Sequence, residues 1–502
     1  MNENESNQNG RGRLSEREAM SLAEIDRSCR WPVGVLILSG VFWLLVGSAL
    51  ALLASIKLHT PGVLDGWAWL TFGRVRPTHL NTMIYGWASM TGMGTLLWLQ
   101  ARLCRVRLPF GWLLVLTGAV WNVLVLVGSI AILAGYGTSV EWLEFPYRVA
   151  LFFFPVGGVI GLTSIFMFVG RRSEHIYITQ WYLFGAVLWF PVLYFVANLF
   201  IHRGLATGVV QASANWWFAH NVLGLWLTPL GVGTAYYLIP KIIGKPIHSY
   251  YLSILGFWTL ALFYNWAGTH HLVGGPIPAW LVTVGIVGSI GMFVPVITVA
   301  LNHHMTMVGN FHHLKTSPTL RFVVYGAMCY TAVSVQGSLQ ALRGVNEVSH
   351  FTHYTIAHAH LGVYAFYTMI AFGAVYYIMP RLTGHEWSSA RLIKLHFWTT
   401  GVGMAVYWVG LTWGGWFQGK LMNNPDVPFL DIVAYTVPFL WSRSFAGLLM
   451  TIGHLAFAIL IVRMVYRTRK HGVGPTLFTP EDPGRSAPAG NAPAETPRAV
   501  PA

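Results

Sequence analysis

Long apolar runs recur along this chain. Each run is about 20 residues long and short polar loops separate them, which is typical of a helical protein that crosses a membrane many times. We predict spans 1 to 12 at residues 32–55, 78–100, 108–134, 146–169, 178–201, 215–240, 250–271, 277–302, 321–345, 353–380, 392–417 and 443–466. A shorter apolar stretch, residues 427–441, is interpreted as an interfacial or re-entrant segment. The predicted fold class is all-α, a polytopic membrane protein with about 12 transmembrane helices.

Polar ends bound this apolar region. We expect residues 1–30 to form a mobile cytoplasmic N-terminus, 31–468 the transmembrane domain, and 469–502 a disordered cytoplasmic tail rich in Pro and Ala. No cleavable signal pattern precedes span 1. The three cysteines, Cys29, Cys104 and Cys329, are scattered, and the chain has no C-x-x-C-H motif. A covalently attached c-type haem on this chain is therefore excluded.

The net charge is +14, and the positions of the charged residues along the chain indicate the membrane topology. Lys and Arg cluster before span 1, after span 12 and in the loops that follow even-numbered spans, whereas the other loops hold most of the acidic residues. The positive-inside rule then predicts that both termini lie in the cytoplasm. The positive charge is a topology signal, and we expect a lipid bilayer and no nucleic acid as partner.

Histidines lie near the ends of four spans. Spans 2, 6 and 10 carry them at the start and span 7 at the end, and the predicted topology puts all of these positions near the outer surface: His79, His220, His270, His271, His358 and His360. A single one is explained as a hydrogen-bonded structural histidine. Six imidazoles at one depth in a membrane are better explained by a function, because buried polar groups are costly there.

The spacing within these groups limits what each can bind. His358 and His360 point about 200° apart on a helix, so they suit two haems, one on each side. His79 and His360 can then hold one haem iron from both sides, and His358 a second from one side. His270 and His271 diverge by about 100° and, with His220, can hold one Cu or Fe with an open position. A haem iron opposite such a metal is a site that can reduce a diatomic molecule.

Other polar residues leave alternatives open. Arg74 and Arg76, just before span 2, either reach lipid headgroups or bind haem propionates. Glu141 belongs either to a solvated acidic loop or to a Ca²⁺ site. The loop after span 8 is predicted to expose four surface histidines, His303, His304, His312 and His313. Spans 11 and 12 are predicted to carry no comparable cluster.

Six motifs resemble subunit I of the haem–copper oxidase superfamily, and specifically the cbb3-type cytochrome c oxidases. They cover most of the membrane region: GRVRPTH (73–79), WWFAHNVLGLWLTP (216–229), YYLIPK (236–241), YNWAGTHH (264–271), SHFTHYTIAHAH (349–360) and YYIMPRLTG (376–384). The chain resembles a divergent member of that group, and the resemblance implies a location in the bacterial cytoplasmic (inner) membrane.

The resemblance implies a set of residue roles. His79 and His360 would ligate a low-spin haem b, His358 a high-spin haem b, and His220, His270 and His271 one copper ion. Tyr264 would be the catalytic tyrosine, cross-linked to His220. Glu141 would bind Ca²⁺, and Arg74, Arg76 and His350 would lie near the haem propionates. A proton path from the cytoplasm would use four further residues: Thr228, Tyr236, Ser253 and Asn302.

The implied activity is that of a terminal oxidase. It would reduce O₂ to water with electrons from cytochrome c, delivered by partner subunits that carry c-type haems, and would couple this to proton uptake and translocation. The chain departs from the family at Gln336-Gly337-Ser338, where Glu-Gly-Pro is usual, which affects the expected redox tuning of the high-spin haem.

Two other functions compete with this one. A nitric oxide reductase of the same superfamily uses non-haem iron and a glutamate four residues after the histidine of span 6, where this chain has Gly224. A haem-binding sensor or transporter would turn over no substrate and would need neither the three metal histidines nor Tyr264. The retained tyrosine and the missing glutamate favour O₂ reduction.

Overall fold

The computed structural model of the protein describes residues 3–466, with side chains from Leu22 onward. The elements in this part of the chain are helices, and no strand occurs among them. The all-α prediction is therefore confirmed. The predicted tail, residues 469–502, lies outside the described residues.

Twelve long helical segments, which we label α1 to α12, overlap the predicted spans one by one. Their bounds are Glu3–His59, 72–104, Gly111–Ala134, Tyr147–Val169, Ile178–His202, Gly208–Ile243, 250–272, Ala279–Met307, Pro318–Gln340, His353–Thr383, Ala390–Met422 and Phe429–Val465. A short helix, Arg343–Ser349, lies between α9 and α10.

Nine of these helices are long and apolar enough to cross a membrane, counted within residues 22–466. The exceptions are α2, α7 and α11. In α2 a π-helical turn separates the segments Phe72–Asn81 and Ser89–Cys104, and α7 changes to a 3₁₀ turn after Ala267. The count of twelve spans stays a prediction.

The segment 427–441 is not a separate re-entrant element, and that expectation is wrong. Residues from Phe429 continue without a break into Val465, so this stretch is the first part of α12. Pro438 lies inside the helix and removes one backbone donor. Transmembrane helices accept such a proline when neighbouring helices cover the freed carbonyl, and α12 packs along α11 and α1.

Two glycines let α11 approach the start of α10 and the short helix before it at backbone contact. A Cβ on Gly415 would lie 2.0 Å from the amide nitrogen of Tyr354, and one on Gly419 would lie 1.7 Å from the carbonyl oxygen of Val348. Small residues at such crossings replace the hydrophobic driving force that lipid does not supply. This contact sets the position of the turn from which His358 and His360 project.

We expect Gly415→Ala to lower the thermal stability of the purified protein by an amount typical of overpacking, about 1–3 kcal/mol. The added methyl has to displace the backbone at Tyr354. Thermal unfolding in detergent measures the change. Gly158→Ala on α4 is the matched control, because no atom lies within 4 Å of its added Cβ. Equal stability of the two variants would contradict the close approach of α11 to α10.

Candidate functional site

Each of the predicted ligand histidines lies beside an irregular helical turn. In α2, α6 and α10 a π turn begins one to three residues after the histidine, at Thr82, Val222 and Leu361. In α7 the pair His270-His271 lies in the 3₁₀ turn Gly268–Leu272. Single π turns inside α-helices are frequent at functional sites because they re-aim the side chains around them. The four helices thus share a local distortion at the same place.

His79 and His360 face one cavity with their Nε2 atoms available. His79 Nδ1 lies 2.9 Å from the carbonyl oxygen of Gly47, and His360 Nδ1 lies 2.9 Å from that of Ile356. Because a carbonyl only accepts, both Nδ1 atoms carry the proton and both Nε2 atoms keep a lone pair. Hydrogen bonds of this kind fix the ring orientation of metal-ligating histidines.

The cavity between these two histidines is large, with about 800 Å³ of atom-free space, part of it open to the surroundings. Its wall is mainly apolar, from helices α1, α2, α10, α11 and α12, with a few polar side chains. Besides the two histidines, those polar side chains include Ser48, Ser55, Tyr364, Thr368, Tyr407, Arg443, Thr451 and His454. An apolar cavity with two available imidazole nitrogens fits a haem, which His79 and His360 would hold.

His358 lies on the other side of α10. Its Nδ1 is buried and has no hydrogen-bond partner. Gly337 of α9 packs against the ring, since a Cβ there would lie 2.7 Å from His358 Cε1. The glycine leaves room for the imidazole between α9 and α10. This histidine could hold a second haem from one side.

The three histidines of α6 and α7 form a compact group. One ring nitrogen from each of His220, His270 and His271 lies within 4.8 Å of the others, and no other cluster of three potential ligands of this kind occurs in residues 22–466. His270 Nδ1 is 2.6 Å from the hydroxyl of Ser289, and the ring of His271 stacks on Trp216 at 4.1 Å. The hydrogen bond occupies Nδ1 of His270 and leaves its Nε2 available, and the stack restricts the ring of His271; three imidazoles held in this way suit a Cu or Zn ion.

Tyr264 lies against this group. Its ring centroid is 4.4 Å from that of His220, and the two rings are inclined by 34°. The ring occupies the space beside α6 that a side chain at position 224 would need. A Cβ on Gly224 would lie 1.8 Å from Tyr264 Cε1. Tyr264 and any larger residue at 224 therefore exclude each other in this packing.

Residues 32–449 match the family "Cytochrome C and Quinol oxidase polypeptide I". The chain belongs to this family. Its resemblance to the cbb3-type members is confirmed by a cbb3-type cytochrome c oxidase subunit of Stutzerimonas stutzeri, which is 30% identical over 83% of this chain and 91% of that protein. A cytochrome c oxidase subunit 1 homologue of Agrobacterium tumefaciens is 31% identical over 84% of this chain and 81% of that protein.

Two other relatives define the breadth of the similarity. A nitric oxide reductase subunit of Stutzerimonas stutzeri is 28% identical over 52% of this chain and 56% of that protein. The fold resembles a haem–copper terminal oxidase dimer solved by electron microscopy, with a TM-score of 0.65, 16% identity, and coverage of 91% of this chain and 86% of that one. The chain is thus a multi-pass membrane member of a bacterial respiratory oxidase family.

Two arginines at the start of α2 have partners in this oxidase-family chain. Arg76 forms an ion pair with Glu141 at 2.5 Å, and Arg74 donates to the carbonyl oxygen of Leu133 at 3.1 Å. The pairing brings together two residues to which the sequence assigned separate roles. His350 stacks on Phe351 at 3.9 Å between α9 and α10. Their propionate and calcium roles stay predictions.

Arg443 and His454 of α12 are functional candidates that the sequence prediction missed, since we expected no cluster in spans 11 and 12. Both line the cavity between His79 and His360, and Arg443 Nε is buried without a partner. His396 of α11 is buried nearby and bonds to Tyr376 at 2.9 Å. A charged or imidazole side chain inside an apolar span is itself a signal, and it was available in the sequence.

The predicted proton-path residues are only partly brought together. Asn302 Nδ2 donates to Tyr236 Oη at 3.4 Å and to the carbonyl oxygen of Ser249 at 2.7 Å. Ser253 donates to its own helix at Tyr250, and Thr228 lies two turns before Tyr236 on α6. The expectation that His303 is a surface residue is wrong.

His303 is 3% exposed, and its ring centroid is 4.4 Å from that of Tyr236. The physical reason is that α8 extends to Met307, so His303 remains inside the bundle instead of starting a loop. His304 is likewise part of α8, is half-buried and lies 3.2 Å from the hydroxyl of Thr331, so its assignment to a surface loop is also wrong.

Gln336, the departure from the usual family pattern, bonds away from His358. Its Oε1 accepts a hydrogen bond from Trp408 Nε1 at 3.0 Å, which joins α9 to α11. The side chain is largely buried, so this bond replaces one to water. The amide therefore serves helix packing on the side of α9 that faces α11.

Glu144 is a buried acid in the loop between α3 and α4. Its Oε2 accepts a hydrogen bond from Asn81 Nδ2 at 2.8 Å. Burial raises the pKa of this carboxyl to about 7, and the Asn81 bond opposes that shift. A group whose pKa is raised on folding contributes stability below its unfolded pKa, about 4.5, and that contribution is lost as the pH rises through about 7.

We expect Glu144→Gln to stabilise the protein at pH 8 and to leave it unchanged at pH 4.5. The amide mimics the protonated acid, so the gain should grow between these pH values, up to about 3 kcal/mol. Thermal unfolding in detergent as a function of pH measures it, with Asp65→Asn in an exposed loop as the control. A loss of stability at pH 8 would instead indicate an ionised Glu144 that binds a cation.

Proposed function

We propose that this chain is the catalytic subunit of a terminal oxidase that reduces O₂ to water. The observation that carries the proposal is the position of Tyr264 beside His220 and against Gly224. A tyrosine next to a three-histidine metal group can donate one proton and one electron to a bound diatomic molecule. In this packing the same tyrosine leaves no room for a glutamate at position 224.

Two haems b and one copper ion are the cofactors that the donor sets fit. His79 and His360 would hold the low-spin haem through Nε2, and His358 the high-spin haem. His220, His270 and His271 would hold copper. When bound, the high-spin haem and copper supply the electrons and the open metal positions at which O₂ reacts. Ser289 and Trp216 keep the copper ligands oriented.

Arginine side chains would neutralise the haem carboxylates. Arg443 suits this role because its Nε is buried in the cavity wall without a partner. Arg76 is already paired with Glu141, so it would either share its charge with a propionate or position a Ca²⁺ ligand. Arg74, held by Leu133, and His350 complete the proposed propionate region.

Protons would reach the centre from the cytoplasmic side. Tyr236 and Asn302 form the bonded part of the proposed path, with Thr228 and Ser253 as its other members. Electrons would come from cytochrome c through partner subunits with c-type haems. We also propose that both termini lie in the cytoplasm and that the complex translocates protons.

Nitric oxide reduction is the second candidate, and the similarity to a nitric oxide reductase over half of the chain is the observation that favours it. Such an enzyme would need non-haem iron at the three histidines. Hard iron sites in proteins usually include a carboxylate ligand, and the group of His220, His270 and His271 contains none. The imidazole set therefore favours copper.

Metal analysis of the purified complex decides between these functions. About one copper for every two b-type haems, with O₂ consumption on addition of reduced cytochrome c, is the expected result. Iron beyond the haem content and no copper, together with NO consumption, would replace the proposal by the second candidate. Bound haem without turnover of either gas would indicate a sensor or transporter.

We expect His270→Ala to abolish O₂ reduction and copper binding and to leave the low-spin haem spectrum intact. The substituted imidazole belongs to the group on α6 and α7, whereas the proposed low-spin ligands are on α2 and α10. Copper analysis, optical spectra and O₂ uptake measure the three effects. The control is His312→Ala, an exposed histidine outside the helices α1 to α12. Loss of the low-spin spectrum would contradict the ligand assignment.

We expect Gly224→Ala to reduce O₂ turnover by about 100-fold or more, because a displacement of about 1 Å at a reacting group has effects of that size. The added methyl collides with the ring of Tyr264, and the substitution alters none of the six histidines. O₂ uptake by protein with unchanged copper and haem content measures it. Gly158→Ala is again the control.

Tyr264→Phe keeps the ring and removes the hydroxyl, so it should also lose turnover while it retains copper. Turnover at the wild-type rate in Tyr264→Phe would contradict the catalytic role of the tyrosine.

A further inference from the structure

His454 lies at the centre of a buried hydrogen-bonded chain on the wall of the cavity between His79 and His360. Its Nδ1 is 2.7 Å from the hydroxyl of Ser48 on α1, and its Nε2 is 2.6 Å from the hydroxyl of Tyr364 on α10. All three residues line the cavity. The chain therefore joins α1, α10 and α12 at the place where the low-spin haem is proposed to bind.

The directions of these hydrogen bonds follow from the donor inventory. Ser48 donates its single hydrogen to the carbonyl oxygen of Leu44 at 2.6 Å, so its oxygen must accept from His454 Nδ1. His454 is then neutral with its lone pair on Nε2, and Tyr364 donates to that lone pair. Nε2 therefore keeps a basic lone pair, and the hydroxyl of Tyr364 is hydrogen-bonded to it.

We propose that His454 takes up one proton when the low-spin haem takes up one electron, and releases it when the haem is reoxidised. The inference rests on the proposed low-spin haem but not on the identity of the gas that is reduced. An electron placed in a buried, low-dielectric site strongly favours a compensating positive charge nearby. His454 is a neutral imidazole at the cavity wall that can carry that charge.

The proton transfer balances through Tyr364. A proton from the aqueous medium reaches the cavity as a hydronium ion, which passes it to the Tyr364 oxygen while the tyrosine passes its own hydroxyl proton to His454 Nε2, and a water molecule is left. The imidazole becomes imidazolium, the tyrosine is unchanged, and the electron comes from the c-type cytochrome donor of the proposed oxidase. Imidazolium donates from both nitrogens, and Ser48 and Tyr364 provide an acceptor for each.

Other titratable groups face the same region and define what the test must separate. Arg443 carries the one permanent charge among the described residues of the cavity wall. Tyr407 lines the cavity from α11, and the two proposed haem ligands line it from α2 and α10. His396 of α11 lies behind Phe372, which contacts both His396 and His454. His396 does not line the cavity, which makes it the matched control.

A line of hydroxyls leads from the end of α1 to the cavity wall at Ser55. His59 Nε2 lies 2.9 Å from Ser444 Oγ, which lies 2.8 Å from Ser55 Oγ at the cavity wall. Thr451, one turn before His454 on α12, continues the same face. Ser55 and Ser48 are two turns apart on α1, about 10 Å. We assign this line as the route by which the proton enters and leaves.

The decisive measurement is the midpoint potential of the low-spin haem as a function of pH in the purified complex, with the high-spin haem blocked by cyanide. The wild type should show a slope that approaches about 59 mV per pH unit, the one-electron equivalent of a tenfold change in proton concentration. His454→Gln keeps two hydrogen-bonding groups and cannot take the proton, so its slope should vanish. His396→Gln should keep the wild-type slope.

Ser48→Ala tests the same site without removal of the imidazole. It removes an acceptor that binds imidazolium more strongly than imidazole, so the sloped range should move to lower pH. A flat wild-type profile, a persistent slope in His454→Gln, a lost slope in His396→Gln or an unmoved range in Ser48→Ala would each overturn the proposal. These titrations require only bound haem, so they remain informative if the oxidase function itself fails.

The route is tested by kinetics. In vesicles with a pH dye outside, reduction by a soluble c-type cytochrome should be followed by proton uptake from the outer medium. Ser444→Ala breaks the line between His59 and Ser55 and should slow that uptake at least tenfold, with an unchanged equilibrium slope. Uptake at the wild-type rate would overturn the assignment of this route.

Discussion

The carbonyl oxygens of Gly47 and Ile356 hold the Nδ1 protons of His79 and His360, and much of the centre depends on this constraint. In an apolar bundle a buried imidazole must find a partner within the protein, and a backbone carbonyl admits one tautomer only. Both Nε2 lone pairs are thereby directed to one cavity. Ser289 does the same for His270, and Ser48 for His454. The polar groups of the site are oriented by second partners before any cofactor is considered.

Helix irregularity is the second feature that shapes the centre. The π turns of α2, α6 and α10 and the 3₁₀ turn of α7 all adjoin ligand histidines. A regular helix would fix the relative direction of His358 and His360 by their spacing, but the approach of each helix to its neighbours depends on these turns. Glycines at the contacts, such as Gly224 against Tyr264, Gly337 against His358 and Gly415 against Tyr354, then let the helices close to ring or backbone distance. The metal group, the tyrosine and the cavity are products of this close packing.

Much of the fold was accessible from the pattern of apolar runs. Each predicted span overlaps a helix, because about 20 apolar residues without charge are stable in lipid only as a helix. The errors occur where local sequence is a poor guide to helix ends. The stretch at 427–441 contains Pro438 and resembles an interruption, yet it is the first part of α12. His303 resembles the start of a loop, yet it is a buried residue within α8. In both cases the helix is longer than the local residues suggest.

By itself the sequence determined the helix count to be expected, the charge asymmetry, and the set of six histidines on four helices, because hydropathy and charge are properties of residues and not of their arrangement. It also contained Arg443, His396 and His454, but without their neighbours these were isolated polar residues in apolar spans. Tertiary structure decided that Arg443 and His454 share a cavity with His79 and His360, that Gln336 bonds to Trp408, and that Tyr264 fills the space beside Gly224. The physical reason is that hydrogen bonds and close contacts act over about 3 Å, and only the packing of distant helices brings such groups within that distance.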